Sequence, residues 1–277
     1  MTRDPAAEVT PASDPRARLD LDRLDASLRE RAPGLQVRWS AELPSTNLVA
    51  AEAAVAGAAE GLVVTAEHQT RGRGRLDRRW ESPPGAGLTF SVLARPEVPA
   101  EAWPWLPLLT GYAVGRALRD AGVDAGLKWP NDVLVADRKL AGVLVERIET
   151  TAGPAAVIGV GLNVSTTAVE LPVPEATSLL LATDRSPDRT ALLADLLAAW
   201  AREYAAWLAP GGAAALRAAY LAQCRTLGRP VRARLPGGDV LTGTASDVDA
   251  HGRLVVSGAG GDRVVGAGDV VHLRPSP

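Results

Sequence analysis

The sequence predicts an α+β protein, in which helices flank a mixed, mostly antiparallel sheet and a small β-barrel follows at the C-terminus. Strand-like and helix-like segments alternate from Gln36 onward. Three apolar runs, at 133–135, 140–146 and 156–164, are separated by short polar turns, which favours antiparallel neighbours over a βαβ series. After Gly228, short β-runs joined by glycine turns are typical of a small all-β barrel of about 50 residues.

Three segments are expected along the chain. Residues 1–34 form an N-terminal tail, mobile to about residue 17, with one short helix whose leucines recur near helical spacing. Residues 35–226 form the main α+β domain, and residues 227–277 form the barrel. In the main domain the sequence predicts, in order, a helix at 45–58 capped by Ser-Thr-Asn, strands at 62–66 and 88–93, and helices at 104–122 and 190–208.

The composition limits the possible functions. The 277 residues carry a net charge of −2, which disfavours a protein that holds nucleic acid by bulk electrostatics. The single cysteine, Cys224, excludes an intramolecular disulfide and is expected to be a buried structural thiol, and the histidines lack zinc-ligand spacing. The chain shows neither a secretory signal nor an apolar run of about 18–20 residues, so we expect a cytoplasmic protein without membrane contact.

The run RGRGRLDRRW, from Arg71 to Trp80, concentrates arginines on this neutral background. Gly72 and Gly74 allow positive φ and a close approach to a ligand, and their N–H groups can form an anion-binding nest. Arg73 and Arg75 supply planar donors for carboxylate or phosphate oxygens. A disordered basic tract and an RNA-binding loop compete with a loop over an anionic small molecule. The last uses every feature of the segment.

Three further motifs can carry chemistry. In KWPND (128–132) the rigid Trp-Pro corner fixes Lys128 beside a turn, which favours a phosphate or carboxylate contact over a solvated lysine. The glycines of GVGLN (159–163) serve either ligand approach or close packing in a twisted sheet, with equal weight. STN (45–47) can be a helix cap, a ligand contact, or both.

Taken in order, these motifs resemble those of the biotin protein ligase family. The order is STN, Q-x-x-GRGR-x-x-R-x-W, KWPND, KLAG-x-L-V-E, G-x-G-x-N and a small β-barrel, and the resemblance covers about residues 38–275. It implies the biotin–lipoate ligase fold, similar to class II synthetases, with an SH3-like barrel. It also implies a two-step reaction. Biotin attacks the α-phosphate of MgATP to give biotinyl-5′-AMP, and a lysine of the biotin carboxyl carrier domain of acetyl-CoA or acyl-CoA carboxylase then takes the biotin.

The resemblance also implies site residues. Arg73 and Lys128 are the candidate catalytic residues, because an anion attacking a triphosphate needs fixed positive charge near the α-phosphate. The candidate biotin-binding residues are Ser45, Thr46, Asn47, Gln69, Arg73, Gly74, Arg75, Lys128 and Gly142. The candidates for ATP and the adenylate are Gly72, Arg75, Trp80, Asn131 and Asn163. The metal ligands are left open, with Asn131 and Asp132 as neighbours of the metal or phosphate.

Two residues of the arginine run depart from the family's usual pattern. Arg71 and Asp77 stand where the family usually has a small residue and a glycine, and these departures bear on loop closure and intermediate release, not on the reaction class. Residues 71–79 should be mobile without ligand and ordered over biotinyl-AMP. The short N-terminal segment predicts a monofunctional ligase that binds no operator DNA. The alternatives are a lipoate or octanoate protein ligase and a nucleic-acid-binding module built on the arginine loop.

Overall fold

The fold is built on a mixed seven-stranded sheet. In a computed structural model, which describes residues 14–235, 238–266 and 269–273, the strand order is β1-β2-β3-β7-β6-β5-β4. Only the β1–β2 pair is parallel, so the predicted mixed, mostly antiparallel sheet is confirmed. The strands are β1 (Gln36–Leu43), β2 (Leu62–Gln69), β3 (Gly87–Ala94), β4 (Ala125–Lys128), β5 (Asp132–Val135), β6 (Arg138–Ile148) and β7 (Ala155–Asn163).

Helices cover both faces of this sheet. They are α1 (Leu21–Arg31), α2 (Thr46–Val55), α3 (Trp105–Asp120), α4 (Leu179–Thr183), α5 (Arg189–Leu208) and α6 (Gly212–Leu221), with a 3-10 turn at Ala100–Ala102. Helix α2 packs its alanines against Leu93 and Val157, while Phe90 and Ile158 belong to the larger core that α3 and α5 share. Every residue of β3 and β7 is buried, which is why β7 is an unbroken apolar run in the sequence.

The N-terminal segment is attached to the main domain where the structure describes it. Leu24 and Leu28 of α1 are buried in the main core, which confirms the single predicted helix. Arg16 forms an ion pair with Glu170 at 2.7 Å, and Ala17 O accepts a hydrogen bond from Arg189 at 3.0 Å. Arg16 and Ala17 are therefore held in place, although they fall in the stretch predicted to be mobile. Residues 1–13 of that predicted tail lie outside the described residues.

Strand β4 escaped prediction because it is four residues long and half of it is alanine and glycine. Hydrogen bonds to a segment distant in sequence stabilise this strand, although its own residues have low β-propensity. Leu127 N donates to Gln223 O at 2.9 Å, and Arg225 N donates to Leu127 O at 2.7 Å, so the segment after α6 extends the sheet past β4. Cys224, in this segment, is buried as predicted, and burial raises the pKa of its thiol.

The C-terminal unit is all-β, as predicted, and forms a five-stranded antiparallel sheet with the order β11-β10-β9-β8-β12. Its strands are β8 (Pro230–Arg234), β9 (Val240–Val248), β10 (Leu254–Gly258), β11 (Gly261–Val265) and β12 (Asp269–His272). Two buried tryptophans of the main domain donate their indole N–H groups to it, from Trp105 to Ala250 O at 2.8 Å and from Trp129 to Gly252 O at 2.9 Å. Residues 236–237, half of the predicted PGGD turn, lie outside the described residues.

Candidate active site

A cavity of about 1110 Å³ is lined by residues within β6 and β7, such as Leu144 and Gly159, and by Gln69 and Lys128 at the ends of β2 and β4. It collects all but one of the site residues that the sequence predicts. The lining includes Ser45, Thr46, Asn47, Gln69, Arg73, Gly74, Arg75, Trp80, Lys128, Asn131, Gly142 and Asn163. Gly72 is the exception and lies outside the lining. The barrel contributes Arg229 and His272, so both units of the chain border the cavity.

The arginine run forms a hairpin over this cavity, which we call the arginine hairpin (Gly72–Trp80). Gly74 N donates to Arg78 O at 2.7 Å, and Trp80 N donates to Gly72 O at 3.1 Å. Gly72 is required by close packing, because a Cβ there would lie 2.2 Å from Trp80 O. The loop glycines therefore serve the hairpin itself. Neither adopts the positive φ that the sequence suggested for them.

The positive φ angles fall at the hairpin tip, on Leu76 at 55° and Asp77 at 58°. The left-handed region favours glycine, and aspartate tolerates it better than most other residues. A glycine at position 77, where the resembled family usually has one, would adopt the same positive φ. The Asp77 departure thus preserves the turn geometry.

Two arginines of the hairpin contact the cavity walls. Arg73 Nη2 lies 2.9 Å from Glu146 Oε1, and Arg75 Nη1 donates to Asn131 Oδ1 at 3.1 Å. Asn131 is held in turn, because its Nδ2 donates to Val143 O at 2.8 Å. The two guanidinium groups are therefore attached to different walls of the cavity.

The STN segment begins α2 and forms a polar end of the cavity. Ser45 occupies the N-cap position but makes no capping hydrogen bond through its side chain. Instead, Gln69 Oε1 accepts from Thr46 N at 2.7 Å, which satisfies one of the free N–H groups at the helix start. Asn47 donates from Nδ2 to Glu146 Oε2 at 2.8 Å and accepts from Ser91 Oγ at 2.6 Å. The segment is both a helix start and part of the cavity wall.

The glycines of β7 make room for two of these side chains. A Cβ at Gly159 would lie 2.0 Å from Asn47 Oδ1, and a Cβ at Gly161 would lie 2.3 Å from Cε2 of Trp80. Gly142, on the neighbouring β6, lies beneath Trp80 and Lys139 in the same way. The close-packing interpretation of GVGLN is therefore supported, and ligand approach stays a prediction for these glycines, which also line the cavity.

The cationic end of the cavity lies at the KWPND corner, where the Trp129-Pro130 peptide is cis. Lys128 is half-buried, and in the described part of the chain no acidic side chain forms an ion pair with it. His272 lines the cavity near Lys128 and is uncharged. Burial, with Lys128 and Arg229 nearby, lowers the pKa of His272 to about 4, so the imidazole is neutral at pH 7.

Sequence reasoning missed several residues of the site. Lys139 lines the cavity and pairs with Asp132 at 2.6 Å, while Glu146 and buried Ser91 lie behind the lining and bind Asn47 at its polar end. Lys139 and Glu146 belong to KLAG-x-L-V-E, so their motif was noticed but their contacts were not. Ser91 lies inside an apolar strand and carries no sequence signal.

No cluster of three or more His, Cys, Asp or Glu side chains suited to a metal occurs in residues 14–235, 238–266 and 269–273. This is compatible with Mg²⁺, which is usually bound by substrate phosphates, waters and one or two carboxylates instead of an all-protein cage. Within the same ranges, no helix is long and apolar enough to cross a membrane.

The fold and the cavity match one class of enzymes. The model of the biotin/lipoate A/B protein ligase family matches residues 39–163, and that of the biotin protein ligase C-terminal domain matches residues 226–273. The chain belongs to the biotin/lipoate A/B protein ligase family. Biotin–[acetyl-CoA-carboxylase] ligase of Mycobacterium tuberculosis is 41% identical over 92% of this chain and 99% of its own length.

Solved structures agree with this assignment. The biotin protein ligase of Aquifex aeolicus in complex with biotin and ATP aligns with a TM-score of 0.76 and 27% identity, over 86% of this chain and 99% of that one. The biotin protein ligase of Leishmania major in complex with biotinyl-5-AMP aligns with a TM-score of 0.57 and 26% identity, over 84% of this chain and 99% of that one. The predicted fold is thereby confirmed.

Proposed function

We propose that this protein is an ATP-dependent biotin ligase that forms biotinyl-5′-AMP and transfers biotin to a lysine of a biotin carboxyl carrier domain of acetyl-CoA or acyl-CoA carboxylase. The observation that carries the proposal is one cavity that joins the polar STN end to the cationic KWPND corner beneath the arginine hairpin. The M. tuberculosis relative is named for this activity. Biotin combines a polar ureido ring with a carboxylate, which suits a cavity of this kind.

Arg73 and Lys128 are the proposed catalytic residues. In the first step a carboxylate oxygen of biotin bonds to the α-phosphorus of ATP, and the bond to pyrophosphate breaks. Fixed cations offset the repulsion between these anions and stabilise the charge that develops. In the second step a carrier lysine attacks the acyl carbon, loses a proton, and AMP leaves.

Further contacts to the substrates are part of the proposal. Trp80 Nε1 is buried in the cavity wall and lacks a hydrogen-bond partner among the described residues, so it can donate to ATP or the adenylate. Asn131 and Asn163 line the same space. We assign the biotin end to Ser45, Thr46, Asn47 and Gln69. Mg²⁺ enters as MgATP, with Asn131 and Asp132 as the proposed neighbours of the metal or the phosphates.

Biotin-dependent exchange of labelled pyrophosphate into ATP tests the adenylation step directly. We expect exchange with biotin and at most a few per cent of that rate with lipoate or octanoate, because a pocket that hydrogen-bonds a ureido group rejects analogues that lack it by large factors. Exchange with lipoate alone would assign the protein to the lipoate branch. Exchange with none of these acids, in folded protein, would remove the proposed mechanism.

The arginine hairpin is expected to close over the intermediate, because an acyl-adenylate is hydrolysed when water reaches it. Limited trypsin digestion with site mapping should show cleavage at residues 71–79 in the free protein and protection with biotin plus ATP. Cleavage in the exposed Arg29–Arg31 region of α1 serves as the internal control. Equal cleavage of residues 71–79 in both samples would contradict closure.

The proposal extends to the domain organisation, the location and the type of ligase. We divide the chain into an N-terminal segment (1–34), a catalytic domain (35–226) and an SH3-like barrel (227–277). A cytoplasmic location follows from the need for ATP. A monofunctional ligase without operator-DNA binding is supported by the M. tuberculosis relative, whose name carries no repressor activity.

A further inference from the structure

Glu146 links two parts of the site that belong to different elements. Its carboxylate lies on β6, 2.9 Å from Arg73 of the arginine hairpin and 2.8 Å from Asn47 at the start of α2. The Glu146 side chain is 23% exposed, whereas that of Arg73 is 52% exposed. The more buried carboxylate is thus the anchor, and the arginine is the movable partner.

The charge on Glu146 also orients the buried amide of Asn47. A carboxylate only accepts hydrogen bonds, so the Nδ2 group of Asn47 must face it, and this leaves Oδ1 to accept from Ser91 Oγ at 2.6 Å. Because that bond uses the one hydroxyl proton of Ser91, Thr46 Oγ1 supplies the proton of the 2.7 Å contact between the two hydroxyls, and Thr46 N donates to Gln69 Oε1 at 2.7 Å. One chain of hydrogen bonds therefore runs from Glu146 to the residues at the polar end.

We propose that Glu146 is a positioning residue that attaches the arginine hairpin to the polar end of the cavity and fixes the direction of hydrogen bonding there. The inference rests on the proposed function for its effect on biotin, but the attachment itself needs no substrate. Arg73 lies over the cavity because Glu146 holds it there. Asn47 presents a single amide orientation because the same carboxylate excludes the flipped one.

The first test uses the ligand-free protein and therefore stands even if the proposed activity is wrong. Hydrogen exchange of the backbone amides of residues 72–80 should become about tenfold faster in Glu146→Gln, because the charged partner of Arg73 is lost. Glu149→Gln is the matched control. Glu149 follows β6 and forms an exposed ion pair with Arg147 of β6, so this variant removes the same charge at the surface. Equal exchange in both variants would overturn the attachment.

A double variant separates a direct link from general loosening. If Glu146 acts on the hairpin through Arg73, the hairpin in Arg73→Gln/Glu146→Gln should exchange as it does in Arg73→Gln alone. Independent, additive increases would contradict a direct link. Glu146→Asp keeps the carboxylate and should bring exchange back to within about threefold of the original protein.

The second test measures the consequence for biotin. In pyrophosphate exchange, Glu146→Gln should raise the KM for biotin about tenfold, because Asn47 loses its single amide orientation, and should also lower kcat, because Arg73 is no longer held over the cavity. Glu149→Gln should leave both constants unchanged. A KM for biotin that stays unchanged in Glu146→Gln would overturn the positioning role. Absence of exchange in the original protein would instead refute the proposed function and leave the first test valid.

Discussion

Replacing Lys128 with methionine is expected to lower biotin-dependent pyrophosphate exchange at least about a hundredfold, because a fixed cation facing a reacting phosphate contributes that much or more. Lys128 lines the cavity, and the described residues provide it with no acidic partner, so its charge is available to a ligand. Methionine retains most of the stem, which keeps the packing at the Trp129 corner. The loss should therefore appear in the reaction and not in the fold.

Arg38→Met is the charge-matched control, since Arg38 is exposed on β1, away from the cavity. It should exchange pyrophosphate at the original rate. Both variants should unfold at the same urea concentration as the original protein. If Lys128→Met instead retains more than about a tenth of the original exchange rate, the loss is smaller than removal of one catalytic cation causes. That result would move the catalytic assignment to Lys139, the other lysine of the chain.

Replacing Arg189 with methionine should lower the free energy of unfolding by about 3–5 kcal/mol, the usual result of leaving one partner of a buried ion pair uncompensated. The Arg189 and Glu67 side chains are 3% and 10% exposed, and their charged groups lie 2.6 Å apart. Arg189 also donates to Ala17 O and Gly87 O. Its loss would free the N-terminal segment as well as orphan the carboxylate.

Urea unfolding of three variants tests this expectation. Arg29→Met, which removes an exposed pair with Asp25 on α1, should cost less than about 1 kcal/mol. Arg189→Met/Glu67→Gln should recover part of the loss, because it no longer buries an unpaired charge. An Arg189→Met protein as stable as Arg29→Met would show that water or rearrangement compensates Glu67. A double variant less stable than Arg189→Met would show that other bonds to Glu67 dominate.

Twelve of the thirteen site residues selected from the sequence line the cavity, because their motifs are dense in glycine, proline and charge. GRGR, KWPND and GVGLN lie at the ends of strands or between them, where glycine, proline and charged residues indicate turns or ligand contacts. Sequence reasoning misplaced the left-handed backbone, which falls on Leu76 and Asp77 instead of on the loop glycines. Whether a glycine turns the chain or admits a neighbour depends on what packs against it, and that neighbour is distant in sequence.

By itself, the sequence determined the fold class, the barrel and the residue types of the site, because hydrophobic periodicity and turn residues act over a few positions. Only the tertiary structure decided which charges are paired. Glu146 lies 73 residues from Arg73, and Glu67 lies 122 residues from Arg189. Such pairs form when separate strands and helices are brought together by burial of the core, and no local pattern encodes a partner at that distance.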